Sequence, residues 1–290
     1  MPVAFLAVDW GTTNRRAYRI EDGTVVATER DDRGALAVAP GGFAKEAAAI
    51  REQLGALPLV CAGMVGSNIG WTEVPYVEVP ADLEAVARGT VRVADDIWIV
   101  PGVATRADMR PDVMRGEETQ LLGAAVAELV PANALLCQPG THCKWATLTE
   151  RRIVDFTTSM TGEMFALLKA HGLLARQLGR PVDVGAPFLE GVAEGRRGDL
   201  TASLFGIRAA GLLGRRDDAN AAAFASGLLI GSDLAVRLVI HSDPVIHIVA
   251  DPAMGQLYAA AIRTHGREVH IVDSHAAFIA GATRLWSLLG

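Results

Sequence analysis

The stretch that decides the fold lies close to the N-terminus and reads Asp9-Trp10-Gly11-Thr12-Thr13-Asn14-Arg15-Arg16. An apolar run over 3–8 precedes it, so we expect a β-strand that ends at Asp9. Ligands of α/β folds dock at the carboxyl ends of such strands. Glycine lets a phosphate approach the backbone, and threonine hydroxyls and turn amides donate to its oxygens. The stretch predicts a phosphate-binding turn; the alternative is an ordinary hairpin turn with threonines as strand formers.

Asp9 is the candidate metal ligand of this turn. Mg²⁺ is a hard ion that prefers oxygen ligands, often through water. A carboxylate at the end of the first strand is therefore placed to hold Mg²⁺ beside a bound phosphate.

A similar order of elements recurs about 129 residues later. Three strands joined by a Gly-Thr turn and a charged hairpin are predicted twice, over 3–8, 15–20 and 24–29, and over 134–137, 143–148 and 153–158. Gly140 and Thr141 correspond to Gly11 and Thr12. Two repeats of low identity leave duplication and chance recurrence equally open. The two turns together nevertheless indicate a two-sided phosphate clamp.

Helices and further strands alternate through the rest of the chain. Helical periodicity is predicted over 117–130, 162–173, 219–240, 255–263 and 275–288, and strands over 245–249 and 268–272. This alternation indicates an α/β fold. A length of 290 residues suggests two domains. Segment 101–111 lacks periodicity, so we predict an N-terminal domain over 1–110 and a C-terminal domain over 111–290.

Composition excludes several classes of protein. The net charge is −6, from 27 basic and 33 acidic residues, which argues against a nucleic-acid partner. The three cysteines form no CxxC pair and are interpreted as reduced thiols. We find no continuous apolar run of the ~18 residues that a membrane span requires. The N-terminus lacks a basic region and meets Asp9 early, so we predict no signal peptide and a soluble cytoplasmic protein.

Several catalytic motifs are missing from the sequence. No lysine follows a glycine and no G-x-G occurs, which excludes a P-loop, a dinucleotide fingerprint and a protein-kinase loop. No G-x-S-x-G elbow occurs either. His265, His270 and His275 with Asp273 have the spacing of a metal set, but a strand end followed by a helix start would splay these side chains.

Two adjacent glutamates open the predicted helix that precedes the second turn, in the order Gly116-Glu117-Glu118. Glu118 fits the role of complementing the helix dipole. Glu117, directly after a glycine, is placed to face a cleft and accept a hydroxyl proton.

A glycine-rich stretch over 62–71, continuing to Pro75-Tyr76, predicts a loop for a small polar ligand. Its candidate binding residues are Ser67, Asn68, Trp71 and Tyr76. The alternative is a glycine-rich strand exit with its aromatic rings in the core.

With these stretches in hand, the chain resembles the sugar kinases of the actin-like, hexokinase-like ATPase superfamily, and most specifically the 2-dehydro-3-deoxygalactonokinase family. Besides 9–16, five stretches carry the resemblance over nearly the whole chain: Gly63-Met64-Val65-Gly66-Ser67 with Gly70-Trp71 and Pro75-Tyr76; Gly116-Glu117-Glu118-Thr119-Gln120-Leu121-Leu122-Gly123; Pro139-Gly140-Thr141-His142 with Lys144-Trp145; Met160-Thr161-Gly162-Glu163; and Ser226-Gly227-Leu228-Leu229-Ile230-Gly231.

The resemblance implies two ribonuclease-H-like domains around a central cleft, with ATP and Mg²⁺ held by both turns. It assigns the phosphates to Gly11, Thr12 and Thr13, and to Gly140, Thr141, His142 and Lys144. Glu117 occupies the place of the family's catalytic aspartate. His142 and Cys143 stand where a serine is expected, and 248–253 replaces the glycine-containing turn expected on the adenosine side.

The implied reaction is phosphorylation of 2-dehydro-3-deoxy-D-galactonate at its 6-hydroxyl by ATP. Arginine recognises carboxylates bidentately, so Arg15 is the first candidate for the substrate carboxylate and Arg115 the second. A kinase of another sugar acid or polyol on the same fold is the main alternative. A non-catalytic sensor is a weaker one, because Asp9 and Glu117 are both present. The partners are small molecules, and a homodimer stays open.

Overall fold

The computed structural model describes residues 4–106 and 110–290, and within these ranges it confirms the α/β prediction. The strands are β1 (Ala4–Trp10), β2 (Arg15–Glu21), β3 (Thr24–Asp31), β4 (Leu59–Gly63), β5 (Val77–Glu78), β6 (Val91–Ala94), β7 (Ile97–Ile99), β8 (Val103–Thr105), β9 (Asp112–Met114), β10 (Ala134–Gln138), β11 (Cys143–Thr149), β12 (Arg152–Ser159), β13 (Val245–Ala250) and β14 (Glu268–Asp273). The helices are α1 (Phe43–Leu54), α2 (Leu83–Gly89), α3 (Glu117–Val126), α4 (Thr161–His171), α5 (Ala186–Gly195), α6 (Leu200–Leu212), α7 (Ala221–Ile240), α8 (Pro252–Arg263) and α9 (Ser274–Leu289).

In each of the two main sheets, the three strands of one repeat lie side by side at one edge, in the reverse of their order along the chain. The first runs β3-β2-β1-β4-β7-β6 and the second β12-β11-β10-β13-β14. In the first, β1 is antiparallel to β2 and parallel to β4, and in the second β10 is parallel to β13. The recurrence predicted from the sequence is therefore present in three dimensions. A small third sheet has the order β5-β8-β9.

The hairpins of the two repeats have the same backbone conformation. Asp22 and Gly23 have φ of 49° and 76°, and Glu150 and Arg151 have φ of 51° and 61°. Two successive residues with positive φ are typical of type I′ turns, whose twist matches that of the flanking strands. Each turn thus sets the register of its strand pair.

Contacts divide the chain into two compact units that do not follow the predicted boundary at 110/111. The first unit comprises Met1–Asn133, Thr147–Phe156 and Asp273–Gly290, and the second comprises Ala134–Ala146 and Thr157–Val272. Helix α3 belongs to the first unit because it packs tightly on α9. A Cβ on Gly281 of α9 would lie 2.1 Å from the Thr119 carbonyl oxygen.

The predicted inter-domain segment 101–111 also falls within the first unit. Its described residues include β8, which is buried and pairs with β9, and residues 107–109 lie outside the described residues. The core beside it combines β1 residues such as Trp10 with Phe43 and Ile50 of α1. The C-terminal helix completes this unit, since Trp286 stacks on Phe5 with ring centroids 5.2 Å apart.

The core of the second unit lies between its sheet and helices α5, α7 and α8. Trp145, Phe188 and Leu234 are buried in it. Among the described residues, one helix (Asp218–Ile240) is long and apolar enough to span a membrane by length and composition. That helix packs against α5, and 56% of its most apolar 18-residue stretch is buried in the fold, as expected of a core helix.

Candidate active site

The first Gly-Thr turn follows β1 and is fixed by a neighbouring segment of its own unit. The Gly11 carbonyl accepts a hydrogen bond from Ala35 N at 2.9 Å, and the Thr12 carbonyl accepts one from Leu36 N at 3.1 Å. Within the described residues, the Thr12 and Thr13 amides donate to no backbone carbonyl. Both threonine side chains are exposed. The turn therefore exposes its threonines and leaves their amides without a backbone acceptor, as expected of a phosphate-binding turn.

Asp9 lies one residue before the end of β1 and is half-buried. The strand register sets it opposite Arg16 of β2. Burial raises the pKa of Asp9 to about 6, the Arg16 guanidinium partly opposes that rise, and the charge of Glu117 adds to it. The two predicted catalytic carboxylates are thus within electrostatic reach of each other.

Arg16 is a functional candidate that the sequence analysis missed. Its Nη1 lies 3.2 Å from His275 Nε2, and Tyr18 Oη lies 2.7 Å from His275 Nδ1. His275 lies in the first turn of α9, far away in the sequence, so no local pattern signals this cluster. The alternation of side chains along β2 was the one available signal, since it puts Arg16 and Tyr18 on the same face.

Glu117 is the first residue of α3 and follows a backbone turn that glycine makes accessible. Gly116 has φ of 109°, and a Cβ there would lie 3.1 Å from Gly63 Cα. Glu117 Oε2 accepts a hydrogen bond from Arg115 N at 3.1 Å. The helix start thus holds the half-buried Glu117 carboxylate near Asp9.

Glu118, predicted to complement the helix dipole, lies buried in the first turn of α3. Its Oε2 accepts from Gly116 N at 2.6 Å, and its Oε1 accepts from Thr119 Oγ1 at 3.1 Å. Burial, with the neighbouring charge of Glu117, raises the pKa of Glu118 to about 8. At neutral pH Glu118 is therefore largely protonated, and it closes the turn that precedes Glu117.

The glycine-rich stretch forms one wall of a cavity in the first unit. Asn68 and Trp71 line a volume of about 420 Å³ together with Phe43 and neighbouring residues of segments 38–43 and 69–70. Cavities of this size hold small ligands. Ser67, in contrast, is buried, and its Oγ donates to the Met64 carbonyl at 2.7 Å. Ser67 therefore shapes the loop, while Asn68 and Trp71 face the cavity.

Arg15, the first candidate for the substrate carboxylate, is engaged within the protein. Its side chain is 5% exposed, and its guanidinium lies 2.5 Å from Asp31 Oδ2 and 3.1 Å from Glu46 Oε2. It also stacks over the Trp10 ring. Two carboxylates from β3 and α1 already occupy the donors that the sequence analysis gave to the substrate.

Arg115, the second candidate, is buried but incompletely bonded. Its Nη2 donates to the Val74 carbonyl at 2.8 Å, and its guanidinium lies 4.2 Å from the centroid of the Tyr76 ring. Its Nε and Nη1 have no hydrogen-bond partner among the described residues. Tyr76 lines a separate cavity of about 310 Å³ with Thr105 and Asp112, so the structure does not bring Tyr76 into the cavity of Trp71.

The second Gly-Thr turn follows β10 in the second unit. Gly140, Thr141 and His142 are exposed, and His142 Nε2 lies 2.7 Å from Glu163 Oε2. Lys144 differs from these residues, because it is buried in β11 and its Nζ donates to Thr158 Oγ1 at 2.9 Å. The structure therefore exposes three of the four predicted phosphate residues of this turn.

The expected adenosine-side turn is replaced by a helix cap. Asp251 Oδ1 accepts from the amides of Ala253 and Met254 at 3.0 and 3.1 Å and so begins α8. The histidines that had the spacing of a metal set make separate contacts, with His270 near Glu268 and His275 near Tyr18.

Two exposed Gly-Thr turns follow equivalent strands of two matching sheets, and Asp9 and Glu117 lie near the first turn. These features are the ones expected of a sugar kinase of the actin-like ATPase fold. The family described as 2-keto-3-deoxy-galactonokinase matches residues 9–285. The chain belongs to this family.

Relatives agree over nearly the full length. The chain is 36% identical over 287 residues to the 2-dehydro-3-deoxygalactonokinase of Escherichia coli (strain K12), covering 97% of each chain. It is 38% identical over 302 residues to a Rhizobium meliloti (strain 1021) protein assigned as a 2-dehydro-3-deoxygalactonokinase, covering 98% of each. A crystal structure of a Sinorhizobium meliloti protein with the same assignment has a TM-score of 0.90, 37% identity and 97% coverage of each chain. The predicted fold class is confirmed.

Proposed function

We propose that this chain is a cytoplasmic kinase that transfers the terminal phosphoryl group of ATP to the 6-hydroxyl of 2-dehydro-3-deoxy-D-galactonate, in galactonate catabolism. The products are 2-dehydro-3-deoxy-6-phosphogalactonate and ADP. The observation that carries the proposal is that Asp9 and Glu117 lie within electrostatic reach of each other near the first Gly-Thr turn, in a chain that belongs to this kinase family.

Phosphoryl transfer depends mainly on positioning and on neutralising charge. The donors fit ATP with Mg²⁺, because an oxygen ligand at Asp9 stands beside a turn whose hydroxyls are exposed. Mg²⁺ would supply charge neutralisation when bound. Gly11, Thr12 and Thr13, and Gly140, Thr141 and His142, would position the phosphates.

Glu117 would accept the proton of the attacking 6-hydroxyl. Its carboxylate is half-buried, is oriented by the Arg115 amide, and follows a turn that Glu118 closes. A base held in this way is oriented before substrate arrives, which favours proton transfer in the transition state.

Arg115 is our candidate for the substrate carboxylate, because two of its donors are unpartnered among the described residues whereas Arg15 is satisfied by Asp31 and Glu46. Both unpartnered atoms are buried, so a local side-chain movement must accompany binding. Tyr76 orients the guanidinium by stacking, and Asn68 and Trp71 would contact the sugar chain. We assign Ser67 and Lys144 to holding the loop and strand in place.

The test is an ADP-release assay with ATP and Mg²⁺ on four acids, namely 2-keto-3-deoxygalactonate, 2-keto-3-deoxygluconate, galactonate and gluconate. The first acid should give the highest kcat/KM. Preference for another acid would support the kinase activity and contradict the proposed substrate. No ADP release with any of the four acids, in protein that still binds ATP, would favour a non-catalytic sensor.

The role of Glu117 has its own measurement. Glu117→Gln should lower kcat by about 10²–10⁴-fold with little change in KM for ATP, because it removes the base and leaves the turn intact. Glu52→Gln, at an exposed position of α1 in the same unit, is the matched control and should behave as wild type. A change confined to KM would reassign Glu117 to substrate binding.

A further inference from the structure

The stretch Met160-Thr161-Gly162-Glu163 begins α4 and is not used in the mechanism above. It contacts the second Gly-Thr turn within the same unit. The Glu163 amide donates to the Thr141 carbonyl at 2.9 Å. The start of α4 is itself anchored, since Thr161 Oγ1 lies 3.0 Å from the buried Tyr258 Oη of α8. A fixed element thus lies directly beneath the turn.

Gly162 brings the helix backbone against the backbone of the turn. A Cβ at this position would lie 2.3 Å from the Gly140 carbonyl oxygen and 2.9 Å from Thr141 Cα. Both atoms belong to the main chain, so no flexible side chain could yield. Any side chain at 162 would therefore displace the turn.

Glu163 makes the third contact, through its side chain. His142 Nε2 donates to Glu163 Oε2 at 2.7 Å, which holds the imidazole of a residue that belongs to the turn. The two side chains are 45% and 36% exposed, so the pair contributes little to overall stability. Its effect is local, because it restricts the ring that stands where the family resemblance leads us to expect a serine.

We propose that Gly162 and Glu163 form the seat of the second phosphate turn, and that Glu163 is a positioning residue that acts on ATP through His142. The inference rests on the proposed function, since it concerns the same phosphates. It assigns a role to a stretch that the proposed mechanism leaves without one.

The first test substitutes Gly162→Ala and measures the dissociation constant of MgADP by calorimetry together with KM for ATP. Both should rise by about tenfold or more, because the turn must move to admit the methyl group. Gly206→Ala is the matched control, since a methyl group on this helical glycine of α6 would meet no atom within 4 Å. An unchanged MgADP dissociation constant in folded Gly162→Ala would overturn the role of Gly162.

The second test compares Glu163→Ala with Glu163→Gln. The alanine variant should raise KM for ATP about fivefold without raising KM for the sugar acid, as expected for loss of one exposed pair. Glutamine should restore most of this loss, because its amide oxygen also accepts from His142. Glu268→Ala removes a similar carboxylate–histidine pair, with His270 on β14, and should leave both KM values unchanged.

A double-mutant cycle decides whether Glu163 acts through His142. His142→Ala and the double variant should have the same KM for ATP, because Glu163 has nothing to position once the ring is absent. Additive losses would overturn this part of the inference, as would a rise confined to KM for the sugar acid.

Failure of the inference is distinguishable from failure of the proposed function. If wild-type protein phosphorylates the acid, and Gly162→Ala and Glu163→Ala bind ATP as tightly as wild type, the positioning role of Gly162 and Glu163 is refuted and the proposed function stands. Wild-type protein that neither binds MgADP nor releases ADP with any acid refutes both.

Discussion

At the residue scale, Glu118 is a buried carboxyl group whose ordinary pKa is near 4.5 and whose pKa in the fold is about 8. The folded state therefore binds its proton more tightly than the unfolded chain does. The contribution of the protonated group to stability is complete below pH 4.5 and is lost as the pH rises through 8.

Glu118→Gln should remove this pH dependence, because an amide keeps the acceptor for Gly116 N and carries no charge. The melting temperature of the variant should exceed that of wild type by several degrees at pH 9, since each unit of pKa shift corresponds to about 1.4 kcal/mol. Near pH 5 the two should agree. Calorimetric melting temperatures measured between pH 5 and 9, with Glu52→Gln as control, test this prediction. If the melting temperatures of wild type and Glu118→Gln fall in parallel as the pH rises, Glu118 is not the group responsible.

The two candidate arginines should respond differently to substitution. Arg115→Gln should raise KM for the sugar acid about tenfold or more and leave KM for ATP unchanged, because it removes charged donors to a carboxylate. Arg15→Gln should instead lower the free energy of unfolding by about 1–2 kcal/mol, since Glu46 and Asp31 lose their shared cation while Glu46 keeps Arg33. Steady-state kinetics and thermal melting of both variants separate the roles, and the reverse pattern would restore Arg15 as the substrate ligand.

Sequence reasoning is best suited to residues whose proposed role depends on local chemistry. Gly11, Thr12, Gly140 and Thr141 can be identified because a turn is specified by adjacent residues, and the structure exposes the threonines. Sequence reasoning could not foresee the internal partners of Arg15, because they lie elsewhere in the chain, on β3 and α1. A bidentate arginine looks the same in the sequence whether it binds a substrate or two internal carboxylates.

At the element scale, periodicity predicts α3, α4, α7, α8 and α9 but does not single out α1, α2, α5 or α6. The reason is clearest for α6, where Ile207 is the one buried residue and large apolar side chains such as Phe205 and Leu212 are exposed. Such a helix has no single apolar face to create a period. Strand prediction is equally partial. The strands of the two repeats are predicted because their hairpins are marked by charged or glycine turns, whereas the short strands β4 to β9, of two to five residues, are not predicted.

The packing of α3 on α9 leads to a prediction for Gly281. Gly281→Ala should lower the melting temperature by several degrees, because its methyl group would lie 2.1 Å from the Thr119 carbonyl oxygen and force the helices apart. It should also lower kcat, since α3 begins at Glu117. Gly206→Ala is again the helical control and should leave kcat unchanged without lowering the melting temperature, since alanine favours a helix over glycine. Wild-type stability in Gly281→Ala would show that the two helices separate at no cost.

At the scale of the whole molecule, the predicted boundary at 110/111 assumes that each domain is one continuous stretch. The first compact unit instead combines three segments of the chain, and its last helix returns from the C-terminus. Trp286 of that helix contacts Phe5 and Trp98, two residues that are distant from it in sequence. Composition and periodicity describe neighbours along the chain, so they predict the class of fold and part of its elements but not this return.

The two units should respond differently to the two substrates, which hydrogen exchange can measure across the whole chain. The sugar acid alone should slow amide exchange in segments 38–43 and 66–71, because residues 38, 40, 41, 43 and 68–71 line the cavity of the first unit. MgADP alone should slow exchange at 11–14 and at 140–142, because each Gly-Thr turn would bind phosphate. Glu163→Ala should weaken the protection at 140–142 and leave that at 66–71 unchanged, since Glu163 contacts the second turn. Protection of 140–142 by the acid, without protection of 66–71, would contradict the assignment of substrates to these segments.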